Sequence, residues 1–378
     1  MRSRLEILFA LVFGAACDPE SPCRETDRRV EAPIEPAPPG LLGAPVRLSR
    51  SSEGAVSIYS RPGARTSTTY IDRFSPEARW TSSKVVIAPT STGGVPLLGV
   101  QTIVAGDRLL MLGTPAPRSG DPAPAPAVLR LRIIPFDGEP RELEIPETRC
   151  RACALSWSVL RHESRTLLVF SRLLTDVRSP VSLASIGDEG ELELEAVIPG
   201  IEASPNSSLE LLQSNERVLV RSGRELVLLS DDLSTFSTPI ELPAGTQAID
   251  LSDDLVVAWT ARGPAAQNDV ILEILGTDGH TSVPADRITV GFRVDDLTRS
   301  GNLLGVAIQD RAGSFLAVRE RDGAKVGGDV PLIQATDPSS DLVFLAPRGL
   351  LMGLTRSRFA YLVPGPDGFT RVEVSCAP

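Results

Sequence analysis

Short apolar or alternating stretches, separated by turns rich in Asp, Gly, Pro or Ser, recur along almost the whole chain. Such turns stand at Ser75-Pro76-Glu77, Asp137-Gly138, Asp188-Glu189-Gly190, Asp231-Asp232, Asp278-Gly279, Asp322-Gly323 and Asp367-Gly368, 43 to 62 residues apart. Glycine tolerates positive φ and an Asp side chain can bond its own backbone, so each site reads as a strand reversal. Stretches of strand length precede the turns, as at residues 128–136, 181–186, 270–275 and 314–319. Matching partners follow, as at 142–145, 192–198, 239–242 and 370–374. Seven hairpins are therefore expected. Upstream of six of them lies a continuous apolar run: Leu109-Leu110-Met111-Leu112, Leu167-Leu168-Val169-Phe170, Val218-Leu219-Val220, Leu255-Val256-Val257-Ala258, Leu303-Leu304-Gly305-Val306 and Leu350-Leu351-Met352. With residues 55–59 these make seven, and unbroken apolarity marks strands covered on both faces, expected here as the inner strands of each unit.

A repeat of about 45 to 50 residues holding four short strands resembles the blade of a β-propeller, in which twisted sheets pack face to face around a channel. The resemblance covers nearly all of residues 46–376 and implies an all-β fold of seven blades, each of about four antiparallel strands. Six- and eight-bladed rings, or a pair of β-sandwiches, are the alternatives, and regular hairpin spacing disfavours the sandwiches. No WD dipeptide, kelch double glycine or YWTD-type tetrapeptide is present. Residues 114–126, with their Pro-Ala-Pro repeats, are expected as a solvated, extended loop available for partner contact.

The first residues read as an address. Arg2 and Arg4 precede a ten-residue apolar run, Ile7 to Ala16, and Gly14-Ala15-Ala16 stands immediately before Cys17. That order of basic, apolar and small residues is the grammar of a signal peptide, and the run is shorter than a membrane-spanning helix needs. The Gly-Ala-Ala-Cys ending resembles the lipobox of bacterial lipoproteins. This resemblance implies cleavage after residue 16, acylation of Cys17 and a membrane-anchored location facing the periplasm or the cell surface, with ordinary secretion as the alternative. Residues 17–45 are proline-rich and read as an extended tether.

Five cysteines sit at 17, 23, 150, 153 and 376, an even four if Cys17 carries lipid. In an oxidising compartment the spacing suggests Cys150 with Cys153 and Cys23 with Cys376, the second bridge joining the two ends of a closed ring. Cys150-Arg151-Ala152-Cys153 lacks the histidine of a haem attachment and the further ligands of a zinc site.

Composition narrows the function classes. The 378 residues carry a net charge of −10, which argues against nucleic acid, whose recognition needs a basic stripe. Two histidines, His162 and His280, fall in different units. No Gly-x-Ser-x-Gly elbow, phosphate-binding glycine loop or His-Glu-x-x-His motif occurs. Aromatic residues are scarce, at 4%, and Trp80, Trp157 and Trp259 are expected in the core. Asp250, Asp253, Asp254, Asp295 and Asp296 fall on or next to expected innermost strands. Carboxylates around a channel can hold calcium or act as acid and base, as in propeller lactonases and lyases. The competing expectation is that Asp253 and Asp254 form a turn and that Asp295 and Asp296 end a strand. The leading expectation is a monomeric, non-enzymatic propeller that meets an envelope protein partner and touches the membrane only through its lipid, similar in general architecture to propeller lipoproteins that scaffold outer-membrane assembly. A calcium-assisted hydrolase or lyase and a small-ligand binding or sensing propeller are the alternatives.

Overall fold

The computed structural model of the protein describes residues 22–31, 47–51, 53–62, 66–89, 97–116, 126–151, 153–174, 177–187, 190–205, 207–214, 217–230, 232–262, 268–311, 313–334, 348–355, 357–365 and 368–377. The segment expected as a signal (1–16), Cys17, most of the expected tether, most of the Pro-Ala-Pro stretch and the turn residues Asp188, Glu189, Asp231 and Asp367 lie outside the described residues.

The described residues form 28 strands in seven four-stranded antiparallel sheets, a seven-bladed propeller. Strand β1 (Cys23–Glu31) is set aside from its neighbours in sequence. Blade 1 is β2 (Arg47–Ser51), β3 (Gly54–Pro62), β4 (Thr66–Phe74) and β5 (Trp80–Pro89). Blade 2 is β6 (Leu97–Ala105), β7 (Arg108–Pro115), β8 (Ala127–Pro135) and β9 (Arg141–Cys150). Blade 3 is β10 (Ala154–His162), β11 (Arg165–Leu173), β12 (Ser179–Ile186) and β13 (Leu192–Ala203). Blade 4 is β14 (Leu209–Ser214), β15 (Arg217–Ser222), β16 (Glu225–Leu228) and β17 (Ile240–Glu241). Blade 5 is β18 (Thr246–Leu251), β19 (Leu255–Arg262), β20 (Asn268–Leu275) and β21 (Thr281–Gly291). Blade 6 is β22 (Arg293–Ser300), β23 (Leu303–Asp310), β24 (Gly313–Glu320) and β25 (Val330–Gln334). Blade 7 is β26 (Leu350–Leu354), β27 (Arg358–Gly365) and β28 (Gly368–Cys376), with β1 as its outermost strand.

The continuous apolar runs are inner strands as expected, the second strands of blades 1 to 6, with the run at Leu350 innermost in blade 7, as β26. A second strand is flanked in its sheet on both sides and covered on both faces, so its middle positions are mostly apolar, whereas an innermost strand borders the channel and carries more polar residues. Six of the seven turns join third to fourth strands. The seventh precedes β28, because the last blade borrows its fourth strand from the N-terminal end.

Part of the stretch expected as a tether is therefore structural. Residues 23–31 pair with β28 from Cys23 against Cys376 to Glu31 against Phe369. The sequence CRETDRRVE shows no apolar alternation because most of its side chains are exposed at the rim.

The core lies between blades, in clusters that each combine facing residues of neighbouring sheets. Leu167, Val169 and Val181 pack with Leu209, Val218 and Val220 between blades 3 and 4. Near the axis blades 6 and 7 approach so closely that a Cβ on Gly353 would stand 1.7 Å from the Arg299 carbonyl oxygen. Only glycine allows that contact.

Candidate functional site

Neighbouring innermost strands diverge too far to form a ladder, yet their backbone groups face one another and need partners. Polar side chains on these strands supply them. On β6 the Gln101 amide donates to Trp157 O at 3.0 Å and accepts from Val159 N at 3.1 Å, both on β10. Ser158 of β10 accepts from Leu211 N of β14 at 3.0 Å. Ser214 of β14 accepts from Leu251 N of β18 at 2.6 Å, and Gln247 of β18 accepts from Val294 N of β22 at 2.6 Å. Asp296 of β22 accepts from Leu351 N of β26 at 2.8 Å, and Ser300 donates to Leu354 O. Arg50 of β2 joins blade 1 to this series: it ion-pairs with Asp296 at 2.7 Å and donates to Leu351 O at 2.8 Å. A belt of side chains thus runs around the axis from blade 2 through blades 3 to 7 and on to blade 1.

The five aspartates singled out in the sequence are divided among distinct tasks. Asp296 belongs to the belt and also accepts from Leu297 N at 2.8 Å. Burial pulls its carboxyl up from the ordinary carboxylate range, and Arg50 and the amides oppose that shift. Asp295 is buried and holds Arg293 at 2.6 Å and the Tyr361 hydroxyl at 2.9 Å; burial raises that phenol far above its ordinary value. Both residues lie within β22, at a register shift between Val294 and Asp296, rather than at a strand end. Asp253 and Asp254 form the expected turn after β18 and face Arg321 at 3.2 and 3.1 Å. Asp250 is 2% exposed and stands 3.6 Å from Arg299. Burial again raises its pKa, against Arg50 and Arg299.

Sequence reasoning missed Arg50, Gln101, Ser158, Ser214 and Gln247. Their partners lie tens to hundreds of residues away, and the only available signal was polarity on otherwise apolar short strands. Among the described residues no three His, Cys, Asp or Glu side chains come together in a way that could hold a metal ion. Between the belt residues lies a cavity of about 140 Å³ lined by Arg50, Glu210, Gln213, Arg221, Gln247 and Asp296. Pockets for drug-sized ligands run to about 300–1,000 Å³, so this one suits water molecules or a very small solute.

The seam between blades 7 and 1 carries a second network. Arg371, 1% exposed, donates to Glu373 at 2.6 Å, to Asp27 of β1 at 3.1 Å and to Glu77 O of blade 1 at 3.1 Å. Glu31 of β1 accepts from Trp80 N at 3.2 Å. Trp80 is 38% exposed at the edge of blade 1, not in the core, and its indole donates to Ser83. Cys23 and Cys376 are disulfide-bonded, as are Cys150 and Cys153 in the connection from blade 2 to blade 3. Both pairings match the expectation, and together they indicate an oxidising, extracytoplasmic environment. Among the described residues no helix is long and apolar enough to cross a membrane.

Exposed apolar side chains lie on the outermost strands, at Val30, Trp80, Val85, Ile87 and Val197, and at strand ends of blades 2 and 3. The strand alternation puts first-to-second and third-to-fourth turns on one face of the disc, and second-to-third turns with blade-to-blade connections on the other. Leu98 and Val100 at the start of β6, and Leu174 and Val177 between β11 and β12, lie at the second face on blades 2 and 3, each 39–53% exposed. A groove of about 420 Å³ opens on the nearby rim beside Arg178, Val197, Pro199, Glu202 and Glu225.

No protein-family model and no curated protein matches the chain. Solved structures do. The chain is similar to apo AztD from Citrobacter koseri at 15% identity and a TM-score of 0.42, over 77% of this chain and 87% of that one. It is similar to the polysaccharide lyase Uly1 at 7% identity and a TM-score of 0.49, over 88% and 89%. It is similar to the WD40 domain of Neurospora crassa Pan2 at 11% identity and a TM-score of 0.46, over 94% and 95%. All three scores fall below 0.5, and the propeller assignment rests on the strand order described above.

Proposed function

We propose that this protein is an exported, lipid-anchored propeller that serves as a protein-binding module of the bacterial envelope, with the blade 2 and blade 3 part of its second face as the docking surface. The observation that carries the reading is the occupation of the channel: its aspartates and amides are hydrogen-bonded or ion-paired to neighbouring blades, so a catalytic or metal-binding role would first have to break the belt. Of the apolar groups left to solvent, Leu98, Val100, Leu174 and Val177 lie at strand ends on the second face of blades 2 and 3, and Val30, Trp80, Val85, Ile87 and Val197 lie on outermost strands. Exposed apolar patches on a folded protein mark interaction sites. The anchor rests on the Gly14-Ala15-Ala16-Cys17 ending and on the even pairing of the other four cysteines.

Crosslinking in envelopes of the native host tests the docking surface. Wild-type protein should give a discrete crosslinked species that Leu174→Glu/Val177→Glu loses while its thermal unfolding is unchanged. An identical crosslink with that variant would refute this surface.

A further inference from the structure

We infer that the protein is held close to its membrane by the rim of blade 7, with the face carrying the Asp-Gly turns toward the lipid and the blade 2 and blade 3 docking surface turned away. The inference rests on the proposed acylation of Cys17. It comes from where the chain enters the fold. Cys23 is bonded to Cys376, Pro22 accepts from Ala377 N at 2.5 Å, and β1 is registered on β28 over its whole length. The entry point is therefore fixed covalently and by a ladder. From Cys17 to Cys23 the chain advances six residues, which span at most about 20 Å when fully extended. Proline-rich residues 32–46 come after β1 and connect the rim of blade 7 to innermost strand β2, so they add nothing to the reach of an anchor at residue 17.

Topology then decides which face lies near the lipid. Cys376 ends β28, the third strand of its blade, and its N–H donates to Ser357 O in the first-to-second turn at 3.0 Å. Cys23 thus leaves on the face of first-to-second and third-to-fourth turns, the face bearing Asp137-Gly138, Asp278-Gly279 and Asp322-Gly323. The exposed residues Leu98, Leu174 and Val177 occupy the other face.

The test uses acylated full-length protein in phosphatidylethanolamine and phosphatidylglycerol vesicles containing a headgroup nitroxide lipid. A fluorophore is placed at Arg28→Cys on β1 or at Glu202→Cys on blade 3, both exposed positions. The Arg28 label should be quenched roughly twofold or more beyond the Glu202 label, because the leader reaches only about 20 Å. Inserting about 20 Gly and Ser residues after Asp18, with a root-mean-square span of about 25 Å, should remove most of that difference. Equal quenching in protein of proven acyl mass overturns the orientation alone. Absence of acyl mass overturns the anchor and the orientation with it.

Discussion

Replacing Arg371 by methionine should destabilise the propeller by about 3 kcal/mol, at the low end of the 3–5 kcal/mol typical of removing one partner from a buried ion pair. Methionine keeps most of the aliphatic stem, so the loss reports the charge rather than a cavity. Three donors disappear together: those to Glu373, Asp27 and Glu77 O. Both carboxylates retain one arginine, Glu373 with Arg358 at 3.1 Å and Asp27 with Arg29 at 2.5 Å, which keeps the cost from rising further. Equilibrium unfolding in guanidinium chloride at pH 7, with the disulfides intact, gives the magnitude. Hydrogen exchange gives the place: protection should fall first in β1 and β28. Arg371→Met/Glu373→Gln should recover about 1 kcal/mol relative to the single variant, because it removes the carboxylate left behind. A loss below about 1 kcal/mol, or unchanged protection of β1, would refute the claim that this arginine closes the ring.

Gly353→Ala should cost at least 1–3 kcal/mol in the same unfolding assay, since a Cβ there meets the Arg299 carbonyl and backbone must move. Cys23→Ser/Cys376→Ser should lose about 2–5 kcal/mol, the usual cost of removing a native disulfide; a loss under about 1 kcal/mol would contradict that. Asp72 is 4% exposed and burial raises its pKa, so the folded state takes up its proton at higher pH than the unfolded chain does. Stability from this group therefore falls as pH rises from about 4 through the raised value. Asp72→Asn should accordingly be at least as stable as wild type at pH 7 and should flatten that part of the pH profile. A larger loss at pH 7 than at pH 4 would reverse the sign of the argument.

The blades were legible because they repeat similar local chemistry: a turn rich in Asp, Gly, Pro or Ser, a continuous apolar run and a hairpin partner. What defines the axis was not. Innermost strands such as β18 (TQAIDL) and β22 (RVDDLTRS) mix apolar residues with belt residues, so their aspartates resemble turns or catalytic groups when read alone. Asp296 acquires its role only beside Arg50 and Leu351, 246 and 55 residues away. Strand β1 was hidden for a related reason: a rim strand buries little, so CRETDRRVE carries no periodic signal, and only its cysteine hinted at a link to the last blade. Trp80 shows the converse, a large ring that lies at a blade edge because its indole has a serine partner there.

Intact mass of the protein taken from the membrane fraction of its native host, beside a Cys17→Ser variant, tests the central claim most directly. The account predicts a chain that begins at Cys17 with acyl mass and two disulfides, and a variant that lacks the modification and is released from the membrane. Wild-type protein that is soluble and unacylated would contradict it.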